Sequence, residues 1–401
     1  MQTIPGLIDE RANRKERLAE RVRSVAPSGI RRFFDLIQTM DDVISLGVGE
    51  PDFTTPWHIR EAAIYSLERG FTMYTSNYGL IELRRAVAEH LERRYGVTYD
   101  PQDELLITFG VSEGLDLAMR AILDPGDDVL VPDPGYVSYA PCVVFAGGTV
   151  RAVPTLPENA FRPNPDDFVS RIGEQTKAVL LGYPNNPTGT APDRETLSAI
   201  AKLVADRDLI AISDEIYDRL IYGREHVCFA SLPGMRDRTI LLGGFSKAYA
   251  MTGWRVGYVA APRDLLAGMM KIHQYTALCA PITSQMAAIE AIKNGEPAVA
   301  SMVEEYDHRR RVIVKGLNDV GLTCHEPEGA FYAFPSTAVT GQTDEEFAEQ
   351  LLLEERVAVV PGSAFGECGR DHVRCCYATS LLQIEEALRR IEKYVTRHRK
   401  D

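Results

Sequence analysis

The chain has 401 residues, a formal net charge of −13 and a hydrophobic content of 45%. This length predicts two to three domains, or one large domain with a smaller one. The negative charge disfavours a nucleic-acid partner, because binding to phosphates requires a basic face. No stretch of the sequence reaches the roughly 18 apolar residues of a membrane span, and the first residues lack the apolar core of a signal peptide.

The seven cysteines include no CxxC pair and no Cys/His pattern with zinc spacing. Cys375 and Cys376 are adjacent in a strand-like stretch, so their side chains are expected to point to opposite faces. Such a pattern is typical of reduced thiols inside a cell. We therefore predict a cytoplasmic protein without a metal site.

Two amphipathic helices are predicted first, at residues 56–69 and 80–95. Short apolar runs that are typical of strands follow at residues 104–109, 128–131, 177–181, 209–213, 239–242 and 256–260. Helical patterns at residues 115–123 and 194–206 lie between these runs. Short apolar strands that alternate with helices predict a largely parallel sheet covered on both faces.

The C-terminal part of the chain has a different pattern. A long helix is predicted at about residues 297–319, and strands are predicted at residues 330–334, 357–360 and 373–378. We therefore predict an α/β fold, with a mostly parallel central sheet flanked by helices in a large domain at residues 51–290. A smaller α+β domain is predicted at residues 291–401, and residues 1–50 are expected to pack with it.

The segment at residues 243–258, GGFSKAYAMTGWRVGY, holds a lysine among small and aromatic residues. A desolvated lysine has a lowered pKa and can form a Schiff base. Ser246 before Lys247, and Arg255 on the same segment, would suit an anionic phosphate group. Taken alone, the lysine would equally fit an ordinary surface loop.

This segment, SK followed by TGWRxGY, resembles the lysine motif of the class I and II aminotransferases, which are pyridoxal-phosphate enzymes of fold type I. Other segments in the family's order extend the resemblance from Gly47 to Ser380. The resemblance implies that Lys247 holds pyridoxal 5′-phosphate as a Schiff base and moves the proton during catalysis. It also implies a homodimer that transfers the amino group of an L-amino acid to a 2-oxo acid by the family's ping-pong mechanism, and the expected oxo acid is 2-oxoglutarate.

A glycine-containing turn joins the strand at residues 104–109 to the next helix. Free backbone N–H groups and the helix dipole make such a turn an anion site, although glycine is common at any turn of this kind. The resemblance implies that Gly110, Val111 and Ser112 bind the cofactor phosphate there.

Asp214 follows an apolar strand, where α/β sheets place their ligands. A carboxylate at this position can keep a pyridinium nitrogen protonated, or it can cap a helix. The resemblance assigns the first role to Asp214, contacts with the cofactor's phenolic oxygen to Tyr217 and Asn186, and stacking on the pyridine ring to Tyr136. From the residues alone, Asn186 lies in a rigid proline-rich loop and Tyr136 would equally fit a core.

Arg374 lies in an apolar strand, where a guanidinium requires an anion and suits a carboxylate. The resemblance implies that Arg374 binds the α-carboxylate of the substrate, that Gly49 approaches it through the backbone, and that Asn186 also contacts the substrate. The two cysteines after Arg374 depart from the family's apolar residue or serine and leave this assignment intact. Tyr74 matches a tyrosine that reaches the phosphate of the partner subunit.

The identity of the amino donor stays open between aspartate, alanine and aromatic amino acids. Ile30, Arg31 and Arg32 lie where the family's N-terminal segment lines the pocket, and they would suit an acidic or an apolar side chain. One alternative function is another pyridoxal-phosphate reaction, by a C–S lyase or a synthase. Another is a non-catalytic sensor, but the residues before Gly47 show no recognition-helix pattern.

Overall fold

The computed structural model describes residues 17–27 and 40–400. The strands are β1 (Ile44–Ser45), β2 (Leu105–Thr108), β3 (Asp128–Asp133), β4 (Thr149–Pro154), β5 (Thr176–Gly182), β6 (Ile210–Asp214), β7 (Thr239–Gly244), β8 (Gly257–Ala260), β9 (Tyr332–Ala333), β10 (Val357–Ala358), β11 (Val360–Pro361) and β12 (Val373–Cys376). The helices are α1 (Glu20–Arg23), α2 (Trp57–Glu68), α3 (Ile81–Tyr95), α4 (Gly110–Ile122), α5 (Tyr139–Phe145), α6 (Pro165–Arg171), α7 (Arg194–Asp206), α8 (Arg263–Thr276), α9 (Ile282–Asn294), α10 (Glu296–Asp319), α11 (Asp344–Glu355) and α12 (Leu381–His398).

A seven-stranded sheet in the order β2-β8-β7-β6-β5-β3-β4 forms the centre of the fold. Neighbouring strands are parallel from β7 to β4, so the predicted mostly parallel sheet is confirmed. In β5, the run from Ala178 to Leu181 is buried at every position. Helices cover both faces of such a sheet, which explains why its strands are continuous apolar runs instead of alternating ones.

Strand β8 is the exception, because it is antiparallel to both β2 and β7. Its first residue, Gly257, pairs with Thr108 at the end of β2 and with Gly244 at the end of β7. The start of β8 therefore lies at the same edge of the sheet as the carboxyl ends of its neighbours.

Several elements differ from the sequence-based expectations, including helices α8 and α9, which were not predicted. Helix α4 begins at Gly110 instead of residue 115, because the glycine-containing turn is itself the first turn of the helix. Strand β4 was not predicted. It is an edge strand with exposed residues at Thr149, Arg151 and Ala152, so it lacks the apolar run that marks the inner strands.

The C-terminal part contributes a three-stranded antiparallel sheet in the order β11-β12-β9. Strand β1 pairs in parallel with β10, and the N–H of Cys376 in β12 donates to the carbonyl of Leu46. These contacts place the segment after Leu46 beside the strand that carries Arg374. The domain boundaries predicted near residues 50 and 290 stay predictions.

Across residues 17–27 and 40–400, no helix has the length and apolar character needed to cross a bilayer. In the same residues, no three His, Cys, Asp or Glu side chains come together as a group that would hold a metal ion.

Candidate active site

A cavity of about 620 Å³ lies where β2, β6 and β7 end. Its size is within the usual range of small-molecule sites, roughly 300–1,000 Å³. Most of the residues that were predicted for a site line this cavity: Gly49, Val111, Ser112, Tyr136, Asn186, Asp214, Tyr217, Ser246, Lys247, Arg255 and Arg374. Gly110 and Tyr74 do not line it.

Lys247 follows β7 and is partly buried, so the interpretation as an ordinary surface lysine is wrong. Its Nζ donates a hydrogen bond of 2.6 Å to the carbonyl oxygen of Gly49. Burial lowers the pKa of Lys247 to about 8, because charge is costly to keep where water is excluded. Its amine is therefore more readily neutral, and more readily nucleophilic, than that of a lysine in water.

Asp214 is the last residue of β6 and is only 6% exposed. It accepts hydrogen bonds from the Tyr139 hydroxyl (3.0 Å) and the Ile216 N–H (3.2 Å). A turn at residues 216–219 follows it, so the helix-cap interpretation is wrong. Burial raises the pKa of Asp214 to about 6. A cationic ring nitrogen is the kind of partner that would stabilise this carboxylate.

Tyr139 was missed by the sequence reasoning, although it lies three residues after Tyr136. A Cβ atom at Gly182 would overlap the Tyr139 hydroxyl, so the glycine at the end of β5 makes room for the hydrogen bond to Asp214. The rings of Tyr136 and Tyr139 are 5.5 Å apart in an edge-to-face arrangement. Tyr139 therefore contacts both an aromatic ring and the carboxylate of the cavity.

The turn between β2 and α4 has the features of an anion site. Gly110 has a φ of +72°, which favours glycine, and the Phe109 N–H beside it donates to Glu113 Oε2 at 2.7 Å. Arg255 Nη2 lies 3.4 Å from the Phe109 carbonyl oxygen, and Ser112 and Arg255 are both exposed. The helix N-terminus, two hydroxyls and a guanidinium converge at this end of the cavity. Gly110 does not line the cavity, and it contributes to the anion site by allowing the shape of the turn.

Arg374 is 4% exposed, and its hydrogen bonds go to neutral oxygens. Nη1 donates to Asn186 Oδ1 at 2.9 Å, and Nη2 donates to the Gly47 carbonyl at 2.7 Å. Among residues 17–27 and 40–400, its Nε has no hydrogen-bond partner. The ring of Tyr332 lies 4.5 Å from the guanidinium carbon. A buried cation with an unused donor is a suitable partner for the carboxylate of a ligand.

Tyr332 is another residue that the sequence reasoning missed. Its hydroxyl lies 2.7 Å from the Tyr217 hydroxyl, and a Cβ atom at Gly49 would overlap it. Glycine at position 49 is therefore needed for the backbone to pass this close to Tyr332. The register of β9 on β12 pairs Tyr332 with Cys376, and no local pattern in the sequence indicates this long-range pairing.

Asn186 belongs to a loop that is held together internally, as the proline-rich sequence predicted. The Asn185 side chain accepts from both the N–H (3.2 Å) and the hydroxyl (3.0 Å) of Thr188. Glu50 also lines the cavity and accepts a hydrogen bond of 3.1 Å from Thr252. It was not among the predicted site residues, because one more acidic residue in a loop carries no signal of its own.

Tyr74 is 83% exposed and lies outside the cavity. Its neighbour Thr75 accepts a hydrogen bond of 3.1 Å from Gln285, and Asn77 donates to the Leu278 carbonyl at 2.8 Å. The segment is thus fixed on α9 and on the turn before it. Ile30, Arg31 and Arg32 lie outside the described residues.

Comparison with known proteins places this geometry in a family. The family described as aminotransferase class I and II matches residues 41–391. A putative aminotransferase, YugH, of Bacillus subtilis is 49% identical, over 94% of this chain and 98% of its own. An aspartate aminotransferase of Pyrococcus abyssi is 46% identical, over 94% and 97%. The crystal structure of an aromatic aminotransferase from Pyrococcus horikoshii has a TM-score of 0.88, with 45% identity over 91% of this chain and 99% of its own.

Proposed function

Because the chain belongs to the aminotransferase class I and II family, we propose that it transfers the amino group of an L-amino acid to 2-oxoglutarate by a ping-pong mechanism. The proposal includes pyridoxal 5′-phosphate as the cofactor and Lys247 as its point of attachment. The observation that carries it is the position of Lys247, whose pKa is lowered by burial, in a cavity shared with an anion site and Arg374.

The donor set of the cavity fits a phosphorylated pyridine aldehyde. The N-terminal turn of α4, with Ser112, Ser246 and Arg255, would hold the phosphate. Asp214, whose carboxylate accepts from the neutral Tyr139 hydroxyl and Ile216 N–H, would face the ring nitrogen. Tyr136 would lie against the ring. Pyridoxal phosphate supplies an aldehyde for amine exchange and a ring that accepts electron density.

The chain's own residues would then orient the substrate and move protons. Arg374 would bind the α-carboxylate, together with the backbone of Gly49 and the amide of Asn186. Lys247 Nζ would take the proton from the α-carbon of the substrate and deliver it to the carbon that was the aldehyde carbon of the cofactor. A pKa near 8 suits both steps, because the amine can then both accept and donate a proton. Tyr217 and Asn186 would donate hydrogen bonds to the cofactor's phenolic oxygen.

A donor screen tests this proposal. The purified protein, supplied with pyridoxal phosphate and 2-oxoglutarate, is assayed for glutamate formation with aspartate, alanine and aromatic amino acids. We expect turnover with at least one of these donors, and parallel lines in double-reciprocal plots at several acceptor concentrations. Intersecting lines would contradict the ping-pong mechanism, and the absence of glutamate with every donor would contradict the proposed reaction.

We also propose that the enzyme is a cytoplasmic homodimer in which Tyr74 completes the partner's phosphate site. The seven cysteines are free thiols, as expected in a reducing compartment. Met73, Tyr74 and Tyr275 are 75%, 83% and 85% exposed, and Trp57 on α2 is also exposed. Large side chains of this kind are typical of subunit contacts, and two-fold symmetry would make the Tyr74 contact twice.

Hybrid dimers test the shared site. We expect Tyr74→Phe subunits to bind the cofactor weakly and Lys247→Ala subunits to be inactive. A hybrid of the two would combine both lesions in one site and leave the other site intact, so about half of the native activity should return. Activity no higher than that of Tyr74→Phe dimers in verified hybrids, or a fully active monomer, would contradict the arrangement.

A further inference from the structure

The loop at residues 362–369 leads into β12, the strand that carries Arg374. It consists of two 3₁₀ turns, Gly362–Phe365 and Glu367–Gly369. The ring of Phe365 lies 4.9 Å from the guanidinium carbon of Arg374. The loop therefore supplies a second aromatic ring to this guanidinium, in addition to that of Tyr332.

Three hydrogen bonds fix this loop to the end of β3. Asp133 Oδ2 accepts from the Glu367 N–H and Asp133 Oδ1 accepts from the Cys368 N–H, both at 3.1 Å. The Gly135 N–H donates to the carbonyl oxygen of Phe365 at 2.9 Å. The stretch from the Phe365 carbonyl to the Cys368 N–H is thus attached to the end of β3 and to the turn that follows it.

Gly366, between Phe365 and Glu367, allows this close approach. Its φ of +137° favours glycine, and a Cβ atom at this position would overlap Asp133 Oδ1. Burial raises the pKa of Asp133, and the two backbone N–H groups act in the opposite direction. Hydrogen bonds to an ionised carboxylate are stronger than neutral ones. The Asp133 carboxylate therefore holds the turn after Phe365 in place.

We infer that Asp133 is a positioning residue for substrate affinity: by holding the turn after Phe365, it keeps the Phe365 ring on the guanidinium of Arg374. Asp133 does not line the cavity, so it acts through Phe365. Aromatic faces bind a guanidinium and limit its motion, which keeps its donors aimed at a carboxylate. The inference rests on the proposed role of Arg374 and adds a residue that lies outside the cavity.

Kinetics of Asp133→Ala and Asp133→Asn test the inference. We expect the KM for the amino acid and for the oxo acid to rise about tenfold in Asp133→Ala, while kcat changes less than about twofold, as for a loss of uniform binding. The increase should be smaller in Asp133→Asn, which retains one acceptor oxygen. Cofactor affinity, measured by absorbance titration, should not change. A fall in kcat or cofactor affinity with KM unaltered would overturn the inference.

Asp193→Ala is a matched control, because Asp193 also accepts a backbone N–H, that of Thr196 at 2.8 Å, but at the start of α7. It should leave both KM values unchanged. An increase equal to that in Asp133→Ala would mean that any loss of a carboxylate anchor has this effect, and it would overturn the inference.

Phe365→Leu removes the aromatic ring and leaves the hydrogen bonds of Asp133 to the loop unchanged. If Asp133 acts through Phe365, the variant with both changes should have the KM of a single variant, instead of the product of the two increases. KM increases that multiply in the double variant would show independent effects and would overturn the inference. This cycle can also be run with Asp133→Asn if Asp133→Ala does not fold.

Hydrogen exchange separates this inference from the proposed function. In Asp133→Ala, the peptide covering residues 362–370 should exchange faster than in the unaltered protein, whether or not the protein transaminates. Unchanged exchange in this peptide would overturn the inference and leave the proposed reaction intact. Faster exchange in Asp133→Ala, together with no transaminase activity in the unaltered protein, would refute the proposed reaction alone and retain the role of Asp133 in holding the loop.

Discussion

The two ends of the cavity are built differently. At the cofactor end, Asp214 ends β6, Lys247 follows the adjacent parallel strand β7, and the turn at Gly110 follows β2. At the substrate end, Arg374 in β12 meets Gly47 from the start of the chain and Tyr332 from β9. The residues of the cofactor end lie at one edge of the central sheet, whereas the substrate end depends on contacts between distant segments. Substitutions should therefore separate into effects on chemistry and effects on substrate affinity.

The largest effect is expected for Lys247→Ala at the cofactor end. Removal of the amine eliminates both the attachment point and the group that moves the proton, so turnover should be abolished. The visible absorbance of the bound cofactor should change with it. The measurements are an assay of amino transfer and an absorption spectrum after dialysis. Near-normal transamination would contradict the central assignment.

Asp214→Asn should give a protein that still binds the cofactor and is nearly inactive. A neutral amide cannot hold the ring nitrogen protonated by charge, and loss of such a preorganised electrostatic contact costs about a thousandfold in kcat. Absorbance titration measures cofactor binding, and steady-state assays measure kcat. A rate like that of the unaltered enzyme would leave Asp214 with a structural role only.

Arg374→Leu tests the substrate end. Removal of one partner from a desolvated charge pair costs about 3–5 kcal/mol, which corresponds to a decrease in kcat/KM of about a hundredfold to several thousandfold. The cofactor should still bind with normal affinity. Loss of cofactor with unchanged substrate affinity would show that the two ends are not separable in this way.

The smallest effect concerns stability without cofactor. The pKa of Asp214 is raised from 3.8 to about 6, so its ionisation destabilises the folded protein above pH 6, by about 3 kcal/mol at most. This cost declines as the pH falls from 6 to 4, because the folded protein then retains the proton. Asp214→Asn should therefore raise the melting temperature of the cofactor-free protein at pH 8, and not at pH 4.

Asp193→Asn is the control for this measurement. A backbone hydrogen bond from Thr196 lowers the pKa of Asp193, so its charge favours the folded state at pH 8. The control should not raise the melting temperature at either pH. An increase at pH 8 in both variants would mean that the result reflects net charge and not the burial of Asp214.

The cofactor end was more predictable from the sequence than the substrate end. Lys247 and Asp214 lie in local segments whose glycines, hydroxyls and strand ends have chemical meaning within a few residues. Tyr332 lies in an ordinary apolar stretch and Phe365 in a glycine-containing loop, and they reach Arg374 only through strand pairing and loop packing. Asp133 is the end of a strand, and its partners are backbone groups that no sequence pattern specifies.

The fold shows the same division. Apolar runs marked the inner strands, but they carry no information about direction, so the reversal of β8 was not predicted. Edge strand β4 was not predicted, because its exposed residues interrupt the apolar run that is typical of the inner strands. Tyr74 is exposed on its own subunit, and its role at the phosphate of a second subunit stays a prediction.

The reversal of β8 has a consequence for the order in which the protein assembles. Because β7 and β8 are antiparallel neighbours, Lys247 and Arg255 share one short connection, and only a short loop must close to bring them together. Joining Lys247 to Arg374 closes a loop about four doublings longer, which costs about 2 kcal/mol more in chain entropy. A refolding chain should accordingly bring Lys247 beside Arg255 before it brings Lys247 beside Arg374.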